Sequence, residues 1–207
     1  MQFDLFDGTQ NKILEAKSYG EFKAALAASE CTRCPLSEHR THIVVDRGNP
    51  SAKVLMIGEA PGENEDLQAK AFVGRAGRLL DKLMKEIGFD TNQESLIINI
   101  AKCRPPENRA PKPEEVAACF PFLKKQLDLV KPKIVLLLGA TALKHMIRDK
   151  KDFSMEEEAG KFFAHADYPG IQFMVLYHPA FILRDPRKTP VMVEHIKRFK
   201  DYWTKLA

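Results

Sequence analysis

Four short unbroken apolar runs alternate along the chain with stretches whose apolar positions recur every three or four residues. The runs are 53–58, 96–100, 133–139 and 173–177, and the first and third end in glycine, Gly58 and Gly139. Runs of this length without polar alternation predict strands buried on both faces. Between them, residues 76–87 put Leu79, Leu80, Leu83 and Ile87 on one helical face. Residues 113–129 open with Pro113 and carry Glu114 and Glu115 in the first turn, the signature of a helix start. A short helix is predicted at 140–148 and a C-terminal one at 190–205. At the N-terminus, Leu14, Phe22 and Leu26 predict one helix over 12–30, stopped by the Cys31–Pro35 segment. Alternating buried strands and helices predict an α/β fold: a three-layer α/β/α sandwich around a central four-stranded, mainly parallel sheet. Ligands of such sheets bind beyond the carboxyl ends of the strands. Chemistry is therefore expected at 58–77, 99–113, 139–141 and 177–186.

Composition narrows the class. The 207 residues are 44% hydrophobic and 29% charged, ordinary for a folded protein and unlike disordered or fibrous chains. Without repeats or a low-complexity linker, a single domain over 1–207 is expected, with the helix and a cysteine-bearing loop at 10–40 ahead of a core at 41–207. No apolar run approaches the roughly 20 residues of a membrane span. The start, Met1 to Gly8, is acidic and aromatic rather than basic then apolar, so it is no signal peptide. A cytoplasmic monomer, with reduced cysteines and no membrane partner, is the expectation. The net charge is +4, and the segment 184–205, with seven basic and three acidic residues, holds the whole excess.

The four cysteines are Cys31, Cys34, Cys103 and Cys119, a CxxC pair followed at a distance by a wide pair. Four thiolates suit a metal centre, zinc or an iron–sulfur cluster. The wide second pair is unlike two short zinc knuckles and favours a cluster, although spacing alone leaves both open.

After the first strand the chain runs Gly58-Glu59-Ala60-Pro61-Gly62, then Glu65-Asp66, then Phe72-Val73-Gly74 and Ala76-Gly77. It lacks the Gly-Lys-Ser/Thr of a P-loop and is too acidic for a phosphate cradle. Together with Asn99, Lys102-Cys103-Arg104-Pro105-Pro106, Cys119 and His178-Pro179-Ala180, these motifs resemble the family 4 uracil-DNA glycosylases. The resemblance covers about 31–200. It implies a 4Fe-4S cluster on Cys31, Cys34, Cys103 and Cys119, and uracil-containing DNA as the partner. Two departures stand out. The family usually has Gly-x-Pro before the Phe-Val-Gly motif, where this chain has Ala69 and Ala71. A related subclass that crosslinks to DNA has a histidine after the second strand, and 107–112 contains none, so no covalent trap is expected.

The implied reaction removes a flipped-out base by hydrolysing its N-glycosidic bond. Phe72 is the expected stacking surface. Asn99 has a donor and an acceptor that match uracil O4 and N3–H, which cytosine would not satisfy. The resemblance assigns His178 a hydrogen bond to uracil O2 as charge develops. Gly58 and Ala60 are expected to line the base site, Ala60 standing where better known uracil-DNA glycosylases carry an Asp. The water is then assigned to another carboxylate, Glu59 first and Asp66 second. Leu183, in an apolar loop after His178, is the expected wedge into the hole left by the base, with Arg184, Arg187 and Lys188 on phosphates. Two other classes compete with a monofunctional DNA N-glycosylase of base-excision repair. One is a non-catalytic glycosylase-like module that binds DNA or serves a polymerase. The other is a zinc-stabilised α/β protein of other function.

Overall fold

A computed structural model describes residues 8–147 and 152–205. The expectation about the extreme N-terminus falls almost wholly on 1–7, and the end of the predicted 140–148 helix on Arg148, both outside the described residues.

The four predicted runs form four parallel strands: β2 (Val54–Gly58), β3 (Ser95–Asn99), β4 (Ile134–Leu138) and β6 (Gln172–Leu176). The sheet has six strands rather than four, in the order β1-β3-β2-β4-β6-β5. The additional β1 (Arg47–Gly48) and β5 (Phe162–Ala164) are antiparallel edges. They escaped the hydrophobic pattern because they are two and three residues long and lie where one face meets solvent.

Each strand face carries its own core. Met56, Leu136 and Met174 meet Leu80 and Leu83 of α4 (Arg75–Glu86), Ile182 of α8 (Pro179–Arg184) and Ile196 of α9 (Thr189–Trp203). Leu55, Ile57, Val135 and Val175 meet Leu123 and Leu127 of α5 (Pro113–Val130) and Leu143 of α6 (Ala140–Met146). The three-layer α/β/α arrangement follows from these two interfaces.

The predicted 12–30 helix is two helices, α1 (Gly8–Glu15) and α2 (Tyr19–Ala27). Ser18 breaks it: its hydroxyl accepts from the Glu21 amide while the Glu21 carboxylate accepts from the Ser18 amide, a capping box that starts a new helix. The pair packs a third core, Phe22 and Leu26 against Leu36, Ile43 and Phe122. That core includes Cys103, so the N-terminal segment reaches the cysteines through apolar contact. Two further helices, α3 (Glu63–Gln68) and α7 (Met155–Glu158), lie beside the expected site. The segment expected to be an exposed loop bearing Leu183 is α8 itself. Pro179 starts that helix and His178 caps it.

Candidate active site

A cleft opens at the carboxyl ends of β2, β3, β4 and β6, lined among others by Glu59, Ala60, Phe72, Asn99, Thr141, Tyr177, His178 and Arg184. Strand register brings its floor together. Gly58 and Asn99 are opposed partners at the ends of β2 and β3. A Cβ on Gly58 would come within 2.5 Å of Asn99 Oδ1 and 2.6 Å of the Phe72 ring, so only glycine lets both approach. Asn99 is buried, and among the described residues its Oδ1 has no hydrogen-bond partner. Native structures seldom leave a buried acceptor unpaired, and one facing a cleft calls for a donor from a ligand.

Phe72 takes a left-handed backbone conformation, φ 54°, which strains a residue with a side chain. A Cβ on Gly77 would lie 1.7 Å from the Phe72 carbonyl oxygen, so the start of α4 packs directly on this backbone. Glu65 holds the loop as well, its carboxylate accepting the Gly74 amide at 2.6 Å. The Phe72 ring is largely buried yet borders the cleft, its centroid 5.7 Å from the His178 ring. Core packing and a stacking surface are thus the same placement. Ala69, where the family motif has glycine, is also left-handed, φ 51°, at the end of α3.

His178 Nδ1 accepts the Ala180 amide at 3.1 Å, so in the neutral ring the proton sits on Nε2. Burial, aided by the Arg184 charge, pushes the His178 pKa down to about 4. The ring is therefore neutral at physiological pH and donates through Nε2–H. Gly139, φ 89°, makes room for it, since a Cβ there would lie 2.8 Å from His178 Cβ.

The two carboxylate candidates separate. Glu59 lines the cleft and accepts a hydrogen bond from Thr141 Oγ1. Asp66 is buried away from it, its oxygens accepting the Thr41 amide at 2.9 Å and the His42 amide at 3.1 Å. The expectation that Asp66 stands second in line to orient water is corrected: its carboxylate holds the loop at 41–42.

The basic candidates separate too. Arg187 is bound to Asp185 through Nε at 2.7 Å, Lys188 pairs with Glu156, and Arg198 with Glu194. Three of the seven basic side chains of 184–205 are therefore already paired. Arg184 is exposed on the cleft wall and, among the described residues, has no hydrogen-bond or ion-pair partner. Arg75, at the first position of α4, also lines the cleft and escaped the sequence reading. Leu183 is half-buried on α8, and Phe181 packs on Tyr177 with centroids 5.3 Å apart, so neither is a free loop residue.

Behind the cleft, Cys31, Cys34, Cys103 and Cys119 line one small pocket with Leu26, Ile43, Phe122, Arg40 and Lys102. All four are free thiols. Among the described residues their sulfurs are not drawn together into a ready metal-binding set. Burial pushes the Cys103 thiol up to about 12 and Cys119 to about 11. The donor set nevertheless fits a thiolate-bound group. Four cysteines line one small space together with Leu26, Ile43 and Phe122. The Lys102 amide donates to Cys119 Sγ at 3.3 Å, and Arg40 Nη1 lies 3.7 Å from Cys103 Sγ. Lys102 was noticed in the sequence only as part of a motif; in the fold its side chain is fully buried, with Nζ donating to the Asn99 carbonyl at 2.6 Å.

The family model described as the uracil DNA glycosylase superfamily matches residues 45–207. A type-4 uracil-DNA glycosylase of Thermotoga maritima is 39% identical over 176 residues, covering 84% of this chain and 89% of that protein. A type-4 uracil-DNA glycosylase of Saccharolobus solfataricus is 38% identical over 177 residues, covering 83% of this chain and 81% of the relative. A DNA polymerase of Bacillus phage SP01 is 24% identical over 162 residues, which are 78% of this chain and 17% of the polymerase.

Proposed function

The chain belongs to the uracil DNA glycosylase superfamily, among its type-4 members, and from that premise we propose how its cleft acts as a uracil-DNA glycosylase of DNA repair. It is a DNA N-glycosylase: the bond between the base and the sugar breaks, water adds to the sugar carbon, and an abasic site and free uracil remain. The single observation that carries the site reading is the buried, unpaired Asn99 Oδ1 at the cleft floor. Uracil N3–H supplies the missing donor, and the Asn99 amide group donates to O4. Cytosine has an acceptor at N3 and a donor at C4, and would leave the same oxygen unpaired.

Phe72 stacks on the base, worth about 1–3 kcal/mol. As the bond lengthens, negative charge grows on uracil O2, and the neutral His178 offers Nε2–H to it. A neutral donor already held in place pays no reorganisation as the charge develops. Glu59 is the carboxylate best placed for the water and the sugar cation. Thr141 orients one of its oxygens and leaves the other to accept a proton. Arg184 contacts a phosphate, and Leu183 at the outer side of α8 follows the strand as the base leaves the stack.

Cys31, Cys34, Cys103 and Cys119 would hold a 4Fe-4S cluster. When bound, that group supplies a rigid four-point tie between the N-terminal segment and the chain around α5. Its thiolates suit a reducing, cytoplasmic setting.

The test is release of uracil from a defined oligonucleotide by iron-loaded protein, read as strand cleavage after hot alkali. Cleavage lost in Asn99→Ala, with duplex affinity kept, supports the enzyme. A wild-type protein that binds the duplex but never cuts it would favour the alternative, a non-catalytic DNA-binding or polymerase-associated module. The likeness to part of the phage polymerase is what keeps that alternative in view.

A further inference from the structure

Lys102 lines the cysteine pocket and reaches the cleft through Asn99. Its side chain is among the largest fully buried ones. An ammonium has three donors and no acceptor. Burying it costs several kcal/mol unless charge and hydrogen bonds compensate. Among the described residues its Nζ has one hydrogen-bond partner, the Asn99 carbonyl at 2.6 Å. The buried carboxylate in its neighbourhood, Asp46, is already engaged by Lys23 at 2.7 Å and by the Tyr19 hydroxyl at 2.9 Å. The Lys102 amide already points at Cys119 Sγ, and its carbonyl accepts the Val44 amide at 2.8 Å. Asn99 itself has the orphan oxygen whose position decides which base fits.

We propose that Lys102 is a positioning residue: a buried strut whose Nζ holds the Asn99 main chain in register for base recognition while its own amide is tied to Cys119 in the cysteine pocket. The uracil-reading amide would then be held from the cysteine pocket through one buried side chain. The inference rests on the function proposed above, and extends it from a structural tie to control of specificity.

The experiment uses iron-loaded, full-length protein with Lys102→Met, which keeps the length and removes the charge, and Lys102→Gln, which keeps a donor. Thermal melting establishes that each variant is folded, and the Gln variant carries the test should Met not fold. Free uracil affinity and single-turnover uracil release are measured in each variant, in Asn99→Ala and in the double variants. The proposal expects at least a tenfold loss in both quantities for Lys102→Met, a smaller loss for Lys102→Gln, and no further loss when either is added to Asn99→Ala. Affinity like the wild type's, or losses that multiply with Asn99→Ala, would each overturn it. An inert wild type defeats the function reading, whereas an active wild type with unaffected variants defeats this inference alone.

Discussion

Two pockets share the short segment 99–103, and they are made in opposite ways. The cleft at the strand ends is finished by the chain itself. Gly58 opens its floor, the left-handed Phe72 is clamped by Gly77 and Glu65, and His178 is held in one tautomer by the amide of Ala180. The cysteine pocket is suited to a bound group: four thiol side chains line one small space, and burial pushes the Cys103 and Cys119 thiols up. Preorganised donors suit a transition state, which must be met without rearrangement. Thiol ligands instead lose their protons to a metal, so binding and folding are coupled.

Substitutions can break the contrast, and the base cleft is the more sensitive side. Asn99→Ala is expected to cut single-turnover uracil release by about a thousandfold or more, as sites that lose a base-matching polar group do. Its unfolding free energy should hold or rise, since the deleted oxygen has no partner among the described residues. A large fall in stability would mean that the amide is structural.

His178→Ala should lower the same rate by about a hundred- to a thousandfold, the cost of one preset donor. The wild-type rate should show no transition from His178 near pH 6.5, because its folded pKa is about 4. Stability has a matching sign. The folded pKa lies below the unfolded one, so the contribution is full above about pH 6.5 and is lost as pH falls toward 4. It amounts to roughly 3 kcal/mol by linkage. A pH titration of denaturant midpoints, wild type against His178→Ala, measures it.

Cys103→Ser should act on the other side of the comparison. It is expected to lower the stability of iron-loaded protein by at least about 3 kcal/mol. Uracil release per folded molecule should suffer less than in either cleft variant. Equal losses in both would make the pockets one site.

Smaller effects sharpen the edges. Arg184→Ala should weaken DNA binding and reduce the slope of log affinity against log salt by about 0.9. Arg187→Ala should do less, because Asp185 already holds that guanidinium. Ala69→Gly should stabilise the Phe72 loop by about 1 kcal/mol, relieving a left-handed alanine, with chemical denaturation as the measure.

Much of this was legible beforehand where chemistry follows from position on a strand. The four apolar runs became the parallel strands, and the residues just beyond them, Glu59, Asn99, Thr141 and His178, came together in the cleft. Legibility failed where hydrogen bonds outcompete pattern. Ser18 split a helix that the apolar stripe joined, through a Ser-x-x-Glu capping box that the sequence does contain. The apolar segment after His178 looked exposed until α8 buried one face of it. Asp66 looked like Glu59 in a string of acids, and only the backbone amides of Thr41 and His42 distinguish the two.

The sequence by itself determined the layered α/β class, the strand ends as the place of chemistry, and the residue types available there. Hydrophobic periodicity and glycine placement are local signals, so they survive without coordinates. Tertiary structure decided which carboxylate faces the cleft, that Arg184 and not Arg187 is without a partner among the described residues, and that a lysine buried behind Asn99 joins the two pockets. Those are matters of distance between residues far apart in the chain, and burial there turns an ordinary side chain into a costly, directional one.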